Sequence, residues 1–267
     1  MTDPAQPNEA DPPAEVTDSP DAASEQPPRP DNAVRVRIWM VLMCCIIAIY
    51  TVLTYRRNHV WRSEISLWSD AISKSPNKGR PYSARGAAYM KAGRQAEAME
   101  DLNQAIQLSP RLRVAYSNRG SLHEMRGDYE RALADYDRAI ALDKKLGDAW
   151  YNRGTCCLKM GRLQQAVSDL SRAIDRGRRR PEAWINRGAA HLKLGKFQEA
   201  ITDLDEGLRL APEDAGAYLN RAIAHMLSGK RDSALRDIAA CRMFGGDTSE
   251  FERLQQAMHP QAGPESH

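Results

Sequence analysis

Apolar residues recur along the middle of this chain at steps of three and four residues, which is the spacing of one face of an α-helix. Between residues 96 and 108 the apolar positions are Met99, Leu102, Ala105, Ile106 and Leu108. Residues 82–90 are also compatible with a helix, and Gly93 separates the two runs. Pro110 ends the second run, because proline lacks the backbone donor and disfavours a helical residue before it. The pattern predicts helix, tight turn, helix.

The same pattern occurs five times at a spacing of 34 residues. The eighth position of the copies holds Gly86, Gly120, Gly154, Gly188 and Ala222. Seven positions later stand Gly93, Gly127, Gly161, Gly195 and Gly229, and five positions after those stand Ala98, Ala132, Ala166, Ala200 and Ala234. A fixed period of this length indicates helical hairpins stacked into a solenoid, because one hairpin is too small to bury its own apolar face.

The copies resemble tetratricopeptide repeats (TPR), which carry an aromatic residue at position four, Gly or Ala at eight and Ala at twenty. Position four is here Tyr82, Tyr116, Trp150, Trp184 and Tyr218. The resemblance covers residues 79–248 and implies an all-α, right-handed α-solenoid of five helix-turn-helix repeats: 79–112, 113–146, 147–180, 181–214 and 215–248. The chain departs from the family at position thirty-two, which is proline only at Pro110 and Pro212. The resemblance names a fold and no partner.

The segments on either side of the repeats are predicted to cap them. Residues 58–78 match the second half of a repeat, with Trp68 and Ala71 at the apolar positions, and are expected to form an N-terminal capping helix. Residues 249–258 are expected to form a C-terminal capping helix, with Asp247 or Thr248 as its N-cap. Residues 259–267 are predicted to be a disordered tail.

An uninterrupted apolar segment without charged side chains covers residues 38–55. As a helix it would span ~27 Å, close to the ~30 Å hydrocarbon core of a bilayer. Arginines flank the segment where their charges can reach the membrane interfaces: Arg35, Arg37, Arg56 and Arg57. A buried core helix is the alternative, but no other part of the chain supplies a core around it. The segment therefore predicts a transmembrane helix over residues 35–57 and a single-pass membrane protein.

The region before this helix is acidic and rich in proline. Residues 1–34 contain one basic side chain, Arg29, and are predicted to be disordered because they cannot bury enough apolar surface. A signal peptide fits less well than an anchor, since the preceding region is long and acidic and no small-residue cleavage site follows the apolar segment. The net charge of +3 for the whole chain conceals a more basic remainder.

The orientation of the array in the membrane is suggested by a second resemblance. Residues 57–89 resemble the junction between the last membrane helix and the repeats in some multi-pass, glycosyltransferase-like membrane proteins, whose repeats lie outside the cytoplasm. The sequence carries no multi-pass catalytic half, so their activity is not implied. Arginine is balanced on the two sides of the apolar segment and gives no preference. We expect an extracytoplasmic array.

Residue types that carry catalysis or metal binding form no recognisable constellation. His123, His191 and His225 all stand at position eleven, where a side chain packs between paired helices, and they lie in separate repeats. The sequence contains no phosphate-binding glycine loop, GxSxG, HExxH or CxxC motif. A basic cluster near Arg176 complements the end of a helix dipole and is not interleaved with aromatics. We expect no catalysis, cofactor, metal, small-molecule substrate or nucleic-acid partner.

Two charged columns run through all five copies. Position seven is Arg85, Arg119, Arg153, Arg187 and Arg221, and position twenty-three is Asp101, Asp135, Asp169, Asp203 and Asp237. This regularity predicts bidentate Arg–Asp pairs that link helices and fix their register. The alternative is independent solvated charges, worth ~0–1 kcal/mol per contact.

The resemblance also implies a ligand-binding face, since the family forms its concave surface from the first helices. Position six on that face is Asn118, Asn152, Asn186 and Asn220, which resembles the asparagine ladder with which some TPR proteins hold a peptide backbone. A carboxamide both donates and accepts, so it can pair with any peptide unit. Tyr151, Lys159 and Lys193 are predicted to lie beside the ladder. The alternative for the asparagines is a solvated helix face.

Together these features predict a membrane-tethered scaffold or adaptor that binds segments of other proteins or peptides in a concave groove. Its second partner would be the lipid bilayer, through residues 38–55. The alternative is an accessory subunit of a membrane enzyme or a transport or assembly complex, held through its anchor and its convex faces.

Overall fold

A computed structural model describes residues 31–60, 62–177 and 180–258 of the chain. The described part is helical throughout: α1 Asn32–Val60, α2 Glu64–Lys74, α3 Gly79–Lys91, α4 Gln95–Leu108, α5 Arg113–Met125, α6 Tyr129–Leu142, α7 Gly147–Lys159, α8 Leu163–Arg176, α9 Pro181–Lys193, α10 Phe197–Leu210, α11 Ala215–Leu227, α12 Arg231–Met243 and α13 Ser249–Met258. The chain divides into two units, one ending at Arg56 and the other beginning at Arg57. The predicted all-α solenoid is confirmed by the second unit.

The first unit contains α1 up to Arg56. Its segment Asn32–Tyr55 is 24 residues long with a mean hydropathy of 2.3, and none of its side chains is buried within the protein, so it is long and apolar enough to cross a membrane. The helix starts at Asn32, whereas the sequence predicts a start at residue 35. Residues 32–34, which were assigned to the acidic tail, are therefore helical. The rest of the predicted tail, residues 1–30, and the predicted tail 259–267 lie outside the described residues.

The second unit contains five hairpins, formed by α3 with α4 and by each following pair up to α11 with α12. The glycine after each first helix adopts a positive φ between 72° and 80°, which completes the turn. A residue with a Cβ is strained in this left-handed region, whereas glycine is not. The glycines predicted to break the helices therefore lie at the turns of all five hairpins.

Small residues let the two helices of a hairpin approach closely. A Cβ added at Gly154 would lie 2.9 Å from the Leu170 side chain, and one at Gly120 would lie 2.7 Å from the Tyr136 ring. Tyr136 and Leu170 are fully buried, and the alanines at position twenty of every hairpin are also inaccessible. The core of the array is thus a row of large side chains, each packed against a glycine or alanine of the opposite helix.

The stacking of the hairpins places the first helices on the inner side of a curved array. Each first helix contacts the first helix of the next hairpin, as α3 does with α5 and α5 with α7. Among the described residues between 62 and 258, the second helix of one hairpin does not contact the second helix of any other hairpin. Because the first helices are closer together, they form the inner face and the second helices form the outer face.

Additional helices pack on both ends of the array. At the N-terminal end α2 packs on α3, and its N-cap Ser63 exchanges hydrogen bonds with Ser66 in a capping box. At the other end α13 has the bounds predicted for a capping helix and contacts α11, where Phe251 is buried with Ala222 and Ile223. Asp247 accepts a hydrogen bond from the Ser249 backbone N–H at 2.9 Å and so provides a partner for a backbone donor at the start of α13.

Candidate functional site

Each hairpin contains an ion pair between its two helices. In the third hairpin Arg153 donates from Nε to one Asp169 oxygen at 2.8 Å and from Nη2 to the other at 2.7 Å. The same two bonds join Arg85 to Asp101, Arg119 to Asp135, Arg187 to Asp203 and Arg221 to Asp237. All five aspartates are buried and the arginines are partly buried. The structure thus brings together every arginine and aspartate of the two columns.

A third contact extends each pair to the preceding helix pair. The Nη1 atom of Arg119 donates to Asn103 at 2.8 Å, and that of Arg187 donates to Ser171 at 2.9 Å. The acceptors at this position, the twenty-fifth of the preceding copy, are Ser69, Asn103, Asp137, Ser171 and Asp205. The sequence analysis missed this column, although a small polar residue at this position of the first four copies was its visible signal.

The same arginines also lie against the aromatic residues of position four. The Arg153 guanidinium is 4.8 Å from the centre of the Trp150 ring, and Arg187 is 4.8 Å from Trp184. Hydrogen bonding to Asp169 raises the pKa of Arg153, and hydrogen bonding to Asp237 raises that of Arg221. Each arginine therefore joins an aromatic ring, its own hairpin and the helix that precedes the hairpin.

The histidines of position eleven lie beside these pairs. Their Nε2 atoms are 3.7–4.0 Å from the carboxylates of the paired aspartates, which is beyond hydrogen-bonding distance. Their Nδ1 atoms are buried and make no hydrogen bond within the part of the chain that the structure describes. Burial lowers the pKa of His191 and His225, with partial opposition from Asp203 and Asp237. His191 and His225 are therefore packed side chains that favour the neutral form.

Neither cysteine nor metal chemistry is assembled among the described residues. Burial raises the pKa of Cys156 to about 12 and that of Cys157 to about 11, so both thiols are protonated at neutral pH. Within residues 31–60, 62–177 and 180–258, no three His, Cys, Asp or Glu side chains are placed to hold a metal ion.

The asparagines of position six lie in a row on the inner face and are half-buried. Asn152 approaches the hydroxyls of Ser117 and Ser121, both at 3.5 Å. Asn186 donates to the hydroxyls of Tyr151 at 3.3 Å and Thr155 at 3.4 Å. The carboxamides of the other two members, Asn118 and Asn220, have no hydrogen-bond partner among the residues that the structure places.

The other residues predicted for this face differ in their surroundings. Tyr151 lies under Arg180, whose guanidinium is 4.8 Å from the ring centre. Lys159 pairs with Glu124 of the preceding hairpin at 2.7 Å, and the other Glu124 oxygen accepts a hydrogen bond from Tyr136. Lys193 is exposed and forms no ion pair within the described chain. The lysines are thus not equivalent, since one is held by a carboxylate and the other is available.

A cavity of about 360 Å³ lies on the inner face between the first two hairpins. Its lining includes Ser83 and Ala87 of α3 and Leu112 and Asn118 of the second hairpin. The sequence analysis found only one of these, Asn118, because the cavity is formed by two hairpins and is not visible in either alone.

Comparisons with known proteins agree on the fold. Tetratricopeptide repeat family models match residues 79–112, 114–146, 147–176 and 181–214. A search of the curated proteins found no significant match.

Solved structures with the same fold cover most of the array. The match to YrrB, a TPR protein with an unusual peptide-binding site, is 20% identical, with a TM-score of 0.62 over 71% of this chain and 97% of YrrB. The match to the pilF protein of Pseudomonas aeruginosa is 17% identical, with a TM-score of 0.64 over 76% and 93%. The match to MamA 41-end from Desulfovibrio magneticus RS-1 is 18% identical, with a TM-score of 0.58 over 66% and 96%. The family-model matches to four of the five hairpins therefore show that the chain contains tetratricopeptide repeats.

Proposed function

We propose that this protein is a membrane-tethered scaffold that binds extended segments of other proteins along the inner face of its array. The observation that carries the proposal is that the carboxamides of the asparagine row have weak hydrogen bonds or none. Two of its carboxamides have no partner among the described residues, and Asn152 and Asn186 make only contacts of 3.3–3.5 Å. Good hydrogen bonds of this type are about 2.9–3.0 Å long, so these amide groups are free to exchange partners.

A row of carboxamides suits an extended backbone. Each carboxamide can donate to a peptide carbonyl and accept from a peptide N–H, irrespective of the side chains of the ligand. Small residues at Ala84, Ala87 and Ala189 leave room above the first helices. The similarity to YrrB supports a peptide ligand by analogy of fold.

The proposal is tested with the four asparagines replaced by alanine. We expect the full chain in detergent micelles, when immobilised, to retain acetylated and amidated degenerate octapeptides that lack Asp and Glu. The Asn118→Ala, Asn152→Ala, Asn186→Ala, Asn220→Ala variant should retain about three- to tenfold less per lost carboxamide that contacts the ligand, because each hydrogen bond contributes about 0.5–1.5 kcal/mol. Retention is measured by mass spectrometry of the eluted peptides.

A matched control removes exposed carboxamides from the outer face. Replacing Gln107, Gln164 and Gln165 with alanine changes second helices only, and retention should equal that of the unmodified chain. Equal retention by the asparagine variant and this control would contradict the groove. It would favour an accessory subunit held through its anchor and outer faces.

A further inference from the structure

A cavity of about 470 Å³ lies on the outer face of the array, between the second helices of the first two hairpins. Its walls include Met99 and Asn103 of α4 on one side and Arg131 and Ala134 of α6 on the other, and α5 forms its floor. The space is open because α4 and α6 do not contact each other. Its volume lies within the roughly 300–1,000 Å³ of ligand-binding clefts.

Three positions around this cavity depart from the repeat pattern. The second copy has arginine at positions fourteen and nineteen, where no other copy has a cation, and alanine at position twenty-two, where every other copy has a larger side chain. These residues are Arg126, Arg131 and Ala134. The other copies have, in order, Ala92, Met160, Leu194 and Ser228 at position fourteen, Glu97, Gln165, Glu199 and Ser233 at nineteen, and Glu100, Ser168, Thr202 and Arg236 at twenty-two. Because the shared pattern specifies the fold, departures that meet in one cavity indicate a role particular to that place.

The charges that line the cavity are unequal. Arg119 and Asp135 form one of the ion pairs described above and neutralise each other. Two cations, Arg126 and Arg131, then remain with one carboxylate, Asp128. Arg131 is 3.9 Å from Asp128, beyond hydrogen-bonding distance, and its side chain is 75% exposed. One positive charge is thus left without a counter-ion among the described residues.

Two hydrogen-bond donors are held in place beside this charge. Arg126 donates to the Gln95 backbone carbonyl at 2.9 Å, which fixes its guanidinium without neutralising it. The Oδ1 atom of Asn103 accepts from Arg119 at 2.8 Å, so the amide nitrogen of the same carboxamide is available, and it has no partner among the described residues. Guanidinium and amide N–H groups suit a carboxylate, whose two oxygens only accept hydrogen bonds.

The corresponding grooves between other second helices lack part of this arrangement. Between α6 and α8, uncharged residues replace the two arginines. The groove between α10 and α12 has two cations, Lys230 and Arg236, but Arg236 itself stands at the position of Ala134. Asp205 stands there at the position of Asn103, so that groove has a carboxylate in place of the amide donor. Among the grooves that the structure describes, only the one between α4 and α6 combines two cations, an amide donor and an alanine at these positions.

We infer that this outer cavity binds the carboxylate of a Glu or Asp side chain in an acidic segment of a partner protein. Arg126 and Arg131 supply the charge, Asn103 supplies a donor, and Met99 contacts the aliphatic part of the side chain. Arg131 and Ala134 are exposed, so a side chain that projects from another protein can enter. The site lies on the outer face and the proposed groove on the inner face, so neither depends on the other. A scaffold with both sites holds two proteins at once.

The test uses the full chain, immobilised in detergent micelles, and two pools of acetylated and amidated degenerate octapeptides. The fifth position is Glu in one pool and Gln in the other, and all other positions lack Asp and Glu. The pools are applied to the unmodified chain and to the variant with all four inner-face asparagines replaced by alanine, in which the groove competes less for the peptides. We expect that variant to retain the Glu pool about five- to tenfold more than the Gln pool, because hydrogen bonds to charged groups are stronger than neutral ones. Retention is measured by mass spectrometry of the eluted peptides.

Removal of charge, in the same asparagine variant, assigns the preference to one groove. Arg126→Gln with Arg131→Gln should make retention of the two pools equal, since no unpaired cation is left in the cavity. Lys230→Gln with Arg236→Gln is the matched control, because it removes two cations from the groove between α10 and α12. The preference for Glu should be unchanged in this control.

Two further variants change the cavity and preserve the ion pair beneath it. Asn103→Ser keeps an acceptor for Arg119, as Ser171 does for the arginine of the fourth hairpin, and should lower the Glu preference about threefold. Ala134→Glu places a carboxylate of the protein itself at the cavity and should abolish the preference. The melting temperature of each variant verifies that the array is folded.

The possible failures are distinguishable. Equal retention of the two pools by the asparagine variant would overturn the outer site and leave the groove. A Glu preference that Arg126→Gln with Arg131→Gln does not lower would also overturn the site, because the carboxylate would bind elsewhere. An equal loss in the Lys230 and Arg236 control would show that the preference follows the net charge of the array and not the cavity. Retention of the Gln pool that the asparagine replacements do not lower would overturn the groove and leave the outer site.

Discussion

At the scale of single residues, the most regular feature is the arginine that joins two hairpins. Its three donor groups meet two oxygens of a buried aspartate and one polar side chain of the preceding helix pair, and its flat face lies on an aromatic ring. We propose that these arginines fix the register of one hairpin on the next. The register decides whether the inner-face asparagines fall in a row, so these pairs affect the groove without touching a ligand.

Removal of both partners of such a pair should cost less stability than the two single removals added together. Arg153→Met leaves the Asp169 carboxylate, 2% exposed, without its counter-ion, and Asp169→Leu leaves the arginine without its main acceptor. We expect each change to lower the free energy of unfolding by about 3–5 kcal/mol. The double variant should lose clearly less than the sum. Urea denaturation followed by circular dichroism measures all three.

An exposed pair provides the control for this comparison. Arg209 and Glu206 lie one helical turn apart on α10, with side chains 64% and 36% exposed. Their replacement by Met and Leu should change stability by under about 1 kcal/mol and additively. Additive losses at Arg153 and Asp169 would mean that the two side chains act independently.

The sequence alone predicted part of this geometry. A complete Arg column and a complete Asp column, sixteen positions apart in one hairpin, were sufficient to pair Arg153 with Asp169. The third acceptor, Asp137, was not predicted because it belongs to the preceding copy, and the period does not reveal which helices of different copies lie within reach. The contact of Asn186 with Tyr151 was missed for the same reason.

At the scale of the elements, the hairpins depend on their turns and on the close approach of their helices. The sequence indicated helices and turns correctly, but α3 starts at Gly79 and not near Tyr82. Gly79 is buried, and a Cβ there would lie 2.5 Å from the Ala105 carbonyl oxygen. Tertiary packing thus extends the helix to a residue whose intrinsic preference for helix is low.

Replacement of a turn glycine should cost stability through the backbone alone. A Cβ at Gly161 would meet no atom within 4 Å, but its φ is 74°, so Gly161→Ala should lower the free energy of unfolding by about 1 kcal/mol. Gly216→Ala is the matched control, because Gly216 has no positive φ and the nearest atom, 3.3 Å away, is the end of the Asp214 side chain. Thermal unfolding should separate the two variants. Equal destabilisation would show that φ is not the cause.

At the scale of the whole molecule, the chain combines an apolar helix with an array of hairpins. We propose that α1 anchors the protein in a membrane and that the array lies outside the cytoplasm, as the resemblance of residues 57–89 suggests. Every described side chain of α1 is exposed within its own unit, and the exposed apolar surface of a helix long enough to cross a membrane supports this proposal.

A charge in the centre of α1 should weaken membrane association far more than a charge at its edge. Ile47→Arg places a charge mid-segment, where insertion costs about 2.5–3.5 kcal/mol. Ile38→Arg lies beside Arg37, where the side chain can reach the interface, so it should have little effect. The measurement is the fraction of protein retained in membranes after an alkaline wash.

Orientation is measured on the same cells before they are broken. Protease added to intact cells should cleave the unmodified array and spare a cytoplasmic marker protein. If the array is protected from the protease until the cells are lysed, the array lies in the cytoplasm. Equal retention of the Ile47→Arg variant and the unmodified chain would contradict the anchor.

Contact between first helices is limited to adjacent hairpins: α3 reaches α5, but among the residues placed here it does not reach α7. Damage therefore does not spread as it does in a globular core, since loss of an end unit removes one interface and leaves the interior ones intact. Opening should begin at the extremities and proceed inward, with amide exchange slowest around Trp150 and Leu170. A ligand that spans several hairpins would oppose this fraying in proportion to the number of units it crosses.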